Sequence, residues 1–235
     1  MYGLDPTKAE TTPGVSDSLT VKNLIATRNT TETPEANIPA VENLTKTEQF
    51  SRELFATVAA ASQNGTIDEA TISALSASLA DKIQNSLPRK VFLISDLKII
   101  NDNSIQAFTA YNNALNAVFT KNKVNNKVVD ILQEFIIDEN TVDPGALAQL
   151  DPIIEQVNKI LPAILKINVP QSISTQHLDF LNAIERAKEN LSDMKLYDTD
   201  PIMTMGAFSQ YEKNSDLLDF ATKNLMDVIS KKLNN

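Results

Sequence analysis

The chain of 235 residues has no cysteine, no tryptophan, one histidine and only five glycines. Each scarcity removes a class of function. Without cysteine there are no disulfides, no thiolate metal sites and no cysteine nucleophile. A single imidazole, His177, cannot supply the paired histidines of a metalloprotease helix or the two Glu-x-x-His pairs of a di-iron bundle. Glycines at 3, 14, 65, 145 and 206 are too scattered to form a phosphate-cradling loop, which argues against nucleotide chemistry. Aromatic residues make up only 6%, which suits a core filled by aliphatic side chains. No apolar run approaches the roughly 18 residues that span a bilayer. Met1-Tyr2-Gly3 has neither the basic start nor the apolar middle of a signal peptide.

Positive charge is also in short supply. The formal net charge is −9, and no Lys/Arg cluster interrupts it. Such a chain repels phosphate backbones and anionic lipid, so no nucleic-acid partner is expected. The absence of cysteine leaves the compartment open.

What remains is a helical pattern behind a different leader. Residues 1–43 are rich in Thr, Pro, Asn and Glu, with prolines at 6, 13, 34 and 39. They hold too little apolar surface to offset chain entropy and read as a disordered linker. As a random coil that linker would reach on the order of 40 Å. Residues 44–235 read as one domain. Thr45-Lys46-Thr47-Glu48 is a capping box, followed by Phe50, Leu54, Val58 and Ala61 on one helical face. Asn64-Gly65 ends that helix, and Thr66-Ile67-Asp68-Glu69 opens a second box ahead of Ile72, Leu75, Leu79 and Ile83. The short connection predicts an antiparallel pair.

Arg89 to Asn103 has β character at Val91–Ile94 and Ile99-Ile100 but no evident partner strand. It is expected to be an extended crossover, buried in places, rather than a sheet. Further helices are predicted from Ser104 (Phe108, Tyr111, Leu115, Val118), around Val128 to Phe135, and through Leu147, Leu150, Ile154, Val157, Leu161 and Ile164. Asp151-Pro152 fits a restart within the last of these, and Pro162 should kink or end it. Two more are expected from Ser174 and from the Asp200-Pro201 cap, the latter running to Lys231-Lys232. The fold expected is all-α: an irregular bundle of six to seven helices with one extended crossover segment.

Chemistry is sparse in this frame. His177 at a helix start reads as a cap or a buried hydrogen-bonding residue rather than a catalytic base. Ser95–Lys98 and Ser192–Lys195 match Ser-x-x-Lys but lack the partner motifs of penicillin-recognising enzymes. The acidic stretches around Asp138-Glu139-Asn140 and Asp143, Asp198 and Asp200, and Asn101-Asp102-Asn103 lack the alternation of a calcium loop and read as turns and caps. Asn29, Asn43, Asn64 and Asn190 match glycosylation acceptors, a pattern that arises easily in an Asn- and Thr-rich chain. No catalytic, cofactor or metal residue is assigned. Tyr111, His177 and Tyr211 are the candidates for a ligand groove between helices.

Several short runs together carry a resemblance: Asn43-Leu44-Thr45 with Phe50 and Leu54-Phe55, Ser95-Asp96-Leu97, Tyr111-Asn112-Asn113-Ala114-Leu115, Val169-Pro170, His177-Leu178, Leu181-Asn182, Asp200-Pro201 and Tyr211. Over Asn43 to Tyr211 the chain resembles uncharacterised helical proteins of candidate-phyla bacteria (Patescibacteria). That resemblance implies a membrane helix upstream of a polar linker and an extracytoplasmic helical domain. It brings no reaction. The functional expectation is a non-enzymatic interaction or scaffold domain of the bacterial cell envelope with a protein partner. The alternative is an envelope ligand-binding protein with a groove between helices, and a third reading is an enzyme acting on cell-wall material through paired carboxylates.

Overall fold

The computed structural model describes residues 44–64, 67–84, 88–123 and 127–234. The expected linker over 1–43 and the Gly65 cap lie outside the described residues. Seven α-helices are present among the described residues: α1 Lys46–Asn64, α2 Glu69–Gln84, α3 Ile105–Lys121, α4 Val128–Phe135, α5 Asp151–Ile164, α6 Ser174–Met194 and α7 Pro201–Leu233. The fold is an all-α bundle, as the stripes predicted.

Helices α6 and α7 form its centre. Their side-chain bonds run in opposite senses: Thr204 Oγ1 donates to the Asp193 carbonyl at 3.0 Å, Asn190 Nδ2 to the Ala207 carbonyl at 2.8 Å, and Arg186 to Gln210 at 2.8 Å. The pair is therefore antiparallel. One core cluster gathers Phe108, Tyr111 and Leu115 of α3, Ile160 and Ile164 of α5, Leu181 and Ile184 of α6, and Leu225 and Ile229 of α7. A second gathers Ile131 and Phe135 of α4, Leu147 and Leu150, Leu191 and Met194 of α6, and Ala207 of α7. Burying each large aliphatic side chain contributes roughly 1.5–3 kcal/mol. Helix α6 enters both clusters and joins them.

The crossover needs correction. Lys98–Ile100 (β1) does find a partner, pairing in parallel with Asn168–Pro170 (β4). The partner carries no strand signal of its own: it is a tripeptide some seventy positions away, extended because Pro170 disfavours helix at Val169. Ile136–Asp138 (β2) and Thr141–Val142 (β3) form an irregular antiparallel hairpin that the pattern did not show. Upstream of β1 the crossover has no strand partner, and α6 side chains satisfy its backbone. Asn182 accepts from the Phe92 N–H at 2.7 Å and donates to its carbonyl at 3.1 Å. Glu189 accepts from the N–H groups of Arg89 and Lys90, and Asp193 holds the Arg89 guanidinium at 2.8 and 2.9 Å.

Helix starts mostly follow their local signals. Ser104 caps α3, Asp200 caps α7, and Pro162 lies in the last turn of α5. Thr45 and Glu48 form the reciprocal box. Thr66 of the expected second box lies outside the described residues; α2 begins at Glu69, and Asp68 caps it by accepting from the Thr71 N–H at 2.8 Å.

The N-termini of α1 and α7 cap each other. Asp200 accepts from the N–H groups of Lys46 at 2.8 Å and Thr47 at 3.0 Å, and from the Thr47 hydroxyl at 2.7 Å. The Ile202 N–H donates to that same hydroxyl. One buried carboxylate thus faces the positive ends of two helices and satisfies donors that neither helix can satisfy internally. At the other end of α2, a Cβ placed on Gly206 of α7 would lie 2.6 Å from the Ile83 carbonyl oxygen.

Two expectations follow. Asp200→Ala removes caps from both helices and should cost about 2–4 kcal/mol in urea unfolding. Gly206→Ala should cost about 1–3 kcal/mol despite its better helix propensity, because backbone must move; an unchanged midpoint would show that α2 yields freely.

Candidate functional site

Tyr111 and His177 meet. The α3 stripe carries Tyr111 inward, and the first turn of α6 brings His177 opposite it. The hydroxyl lies 2.7 Å from His177 Nδ1, and the rings stand edge to face. Both side chains are closed from solvent. Burial lowers the His177 pKa to about 4 and raises that of Tyr111 above its ordinary value. The imidazole is therefore neutral near pH 7. Its Nε2 has no partner. Of the two readings of His177, as a cap or as a buried hydrogen-bonding residue, the geometry is that of the second.

Tyr211 stands apart from this pair. It lines a cleft of about 190 Å3 with Ile153, Lys188, Asn190, Leu191, Asn214 and Ser215. That cleft borders α6 from Ile184 to Leu191, about two to four turns beyond His177. Burial, then the Asp219 charge, raises the Tyr211 pKa. A second cleft of about 380 Å3 opens between Leu115, Phe119, Ile160, Phe180, Leu225 and Met226. Val157, Ile184 and Leu218 wall both. Tyr111 and His177 line neither cleft, so the structure does not bring Tyr111, His177 and Tyr211 into the single groove that was expected. Both tyrosines occupy inward stripes, but the stripes face different core clusters.

The other motifs resolve into local structure. Asp138 accepts from the Asn140 N–H, Asp143 from Gly145 and Asp102 from Ser104, all within turns and caps. The Asn140 N–H holds the Asp138 carboxyl below its usual range. No cluster of three or more potential metal ligands occurs among the described residues. Ser192 donates to the Lys188 carbonyl, while Lys195 pairs with Asp151, so this serine and lysine do not act together. Ser95 sits in a 3-10 turn and Lys98 in β1, which removes the shared helical face. Asn190 is buried with its amide on the Ala207 carbonyl and cannot carry a glycan in the folded domain.

The stripes that the sequence places on the first two helices form an exposed apolar groove rather than a buried seam. Helices α1 and α2 are antiparallel, with Glu53 bonded to Ser78 and Lys82, and Lys46 Nζ bonded to the Lys82 carbonyl. Between them Phe50, Leu54, Val58, Ile67, Ile72, Leu75 and Leu79 line a shallow groove of about 370 Å3. Phe55 is 75% exposed and Ile72 56%. No described residue of α2 is buried.

No helix among the described residues is long and apolar enough to cross a membrane. The chain matches no protein-family model, no curated protein and no solved structure.

The buried histidine has a measurable consequence. Its folded pKa of about 4 lies below the ordinary 6.5, so the unfolded chain takes up its proton first. The resulting stability is complete above pH 6.5 and is lost as pH falls towards 4, by up to about 3 kcal/mol. Asp193, whose pKa burial raises, works in the opposite sense. It is common to both proteins compared and cancels. Tyr111→Phe/His177→Leu should remove this acid sensitivity in urea titrations at pH 7, 5.5 and 4, whereas Tyr111→Phe alone should cost about 1–3 kcal/mol at pH 7. Parallel pH profiles for wild type and double variant would show that His177 is protonated in the fold.

Proposed function

We propose that the helical domain is a non-enzymatic interaction domain of a bacterial cell envelope, exposed on the extracytoplasmic side, which binds a partner protein through α1 and α2. The observation that carries this reading is the groove between Leu54, Val58, Ile72 and Leu75, left open by a helix pair fastened to the body at Asp200 and Gly206. Two antiparallel helices with a shared apolar seam offer a slot for a third. An amphipathic partner helix with apolar anchors three and four residues apart would complete a small bundle. Contiguous apolar surface of this kind is a mark of interaction sites in soluble domains. The resemblance to candidate-phyla envelope proteins supports the extracytoplasmic setting.

A photo-crosslinking phenylalanine analogue at Phe55 of the full chain tests it. In native envelopes that position should yield a discrete adduct, absent when the crosslinker replaces exposed Asp198 and lost in Leu54→Glu/Ile72→Glu. Both glutamates are introduced at partly exposed sites, so stability should change by only about 1 kcal/mol. No adduct, or equal adducts from both positions, would refute this surface.

A further inference from the structure

A cleft of about 570 Å3 opens between α6, α7 and the crossover at Lys90 and Val91. That volume lies within the roughly 300–1,000 Å3 of small-molecule sites. Its charge runs against that of the chain. Acidic residues outnumber basic ones 30 to 21 overall, yet the cleft wall carries Lys90, Arg186 and Lys213 against Asp179 alone. Glu212 and Asp216 flank Lys213 along α7 but do not line the cleft.

The cations are gathered at one end. The Lys90 N–H donates to Glu189, Glu189 pairs with Arg186, and Arg186 donates to Gln210 at 2.8 Å. Lys213 follows Gln210 by three residues, or about one turn of α7. Arg186 is thus committed to Glu189 and Gln210. The two lysines are not: the ion pairs among the described residues use Lys82, Arg89, Arg186, Lys188 and Lys195. Lys90 Nζ instead stands 4.5 Å from the centre of the Phe92 ring, which positions the ammonium without neutralising it.

Beyond the cations the wall turns apolar. Leu217 and Phe220 follow Lys213 at spacings of four and seven, so the three share one face of α7 and all line the cleft. Phe220 is 68% exposed and Leu217 49%. The antiparallel register that sets Arg186 against Gln210 and Asn190 against Ala207 brings Asp179 level with Leu217. A second negative group on a ligand would meet that carboxylate.

We infer that this cleft binds a small monocarboxylate with an apolar body. The carboxylate lies between the ammonium groups of Lys90 and Lys213, and the body runs along Leu217 and Phe220. The span from Lys213 to Phe220 is about 10 Å. This site is separate from the α1–α2 groove and does not depend on the function proposed for it.

The test is amide NMR titration of the full chain at pH 7 with 6-phenylhexanoate, with the matching alcohol 6-phenylhexan-1-ol, and with octanedioate. The monocarboxylate should saturate and shift the amides around Lys213, Leu217 and Phe220. The alcohol should bind about fivefold more weakly, the loss of partly exposed ion pairs, and octanedioate more weakly than the monocarboxylate. Lys90→Gln/Lys213→Gln should weaken the monocarboxylate about fivefold and leave the alcohol unchanged. Phe220→Ala should weaken both. All three changed residues are exposed, so each variant should fold. Leu54→Glu/Ile72→Glu should bind as wild type. The inference is overturned if the monocarboxylate does not saturate or shifts other residues instead, if the alcohol or octanedioate binds as well, if the lysine variant keeps full affinity or loses both ligands alike, if Phe220→Ala changes nothing, or if the α1–α2 variant loses the ligand.

Discussion

Helix α6 is enclosed along most of its length, yet it carries His177, Glu185, Glu189, Asn190 and Asp193 as buried residues. Apolar burial would accept many arrangements, whereas a buried carboxylate accepts very few. Each of these groups must find partners inside the protein. Glu189 and Asp193 find them in Arg89 and Lys90, Asn190 in the Ala207 carbonyl, and Glu185 in Lys188. The crossover follows its path because this is where α6 offers acceptors. Its own N–H groups would otherwise be stranded, since β1 begins only at Lys98. Two unsatisfied requirements, one on a helix and one on an extended strand, cancel each other.

The same logic explains why α1 and α2 are attached so differently. The polar bonds that fasten them to the body lie at their ends: Asp200 across two helix N-termini, and Gln210 on the Ile83 and Gln84 carbonyls. Directional bonds at the ends fix an orientation without covering a face. With no described α2 residue buried, little apolar free energy opposes local separation of this pair. A surface kept apolar and lightly held is suited to exchanging its contacts for those of a partner.

Sequence reading succeeded where the cause was local. Thr45–Glu48, Ser104 and Asp200-Pro201 announce helix starts because a cap acts within three residues. The stripes of α3, α5 and α7 are legible because a helix repeats every 3.6 residues. It failed where the cause was distant. Lys98–Ile100 and Asn168–Pro170 are each too short to declare a strand, and only their pairing makes them one. Asn182 and Glu189 look like ordinary polar helix positions until the crossover lies against them. That Asp200 caps a helix is written next to it, but that it caps a second, more than 150 positions away, is not. Tyr111 and Tyr211 illustrate the same limit for the site: periodicity says that both face inward, not which interior each faces.

The Tyr111–His177 pair shows what a buried polar contact adds between helices joined otherwise by apolar packing. Phe108, Leu115, Leu181 and Ile184 would tolerate small rotations of α3 against α6, because such contacts have no direction. The 2.7 Å bond has one, and the neighbouring apolar side chains offer neither group another partner at lower cost. A rotation that separates hydroxyl from imidazole leaves both stranded in a medium that penalises them. With Nε2 already unpartnered, losing the bond at Nδ1 would leave the imidazole without any. The pair thus selects one rotational setting of α3. That setting also carries Leu115 and Phe119, on the following turns of the same helix, to the wall of the apolar cleft.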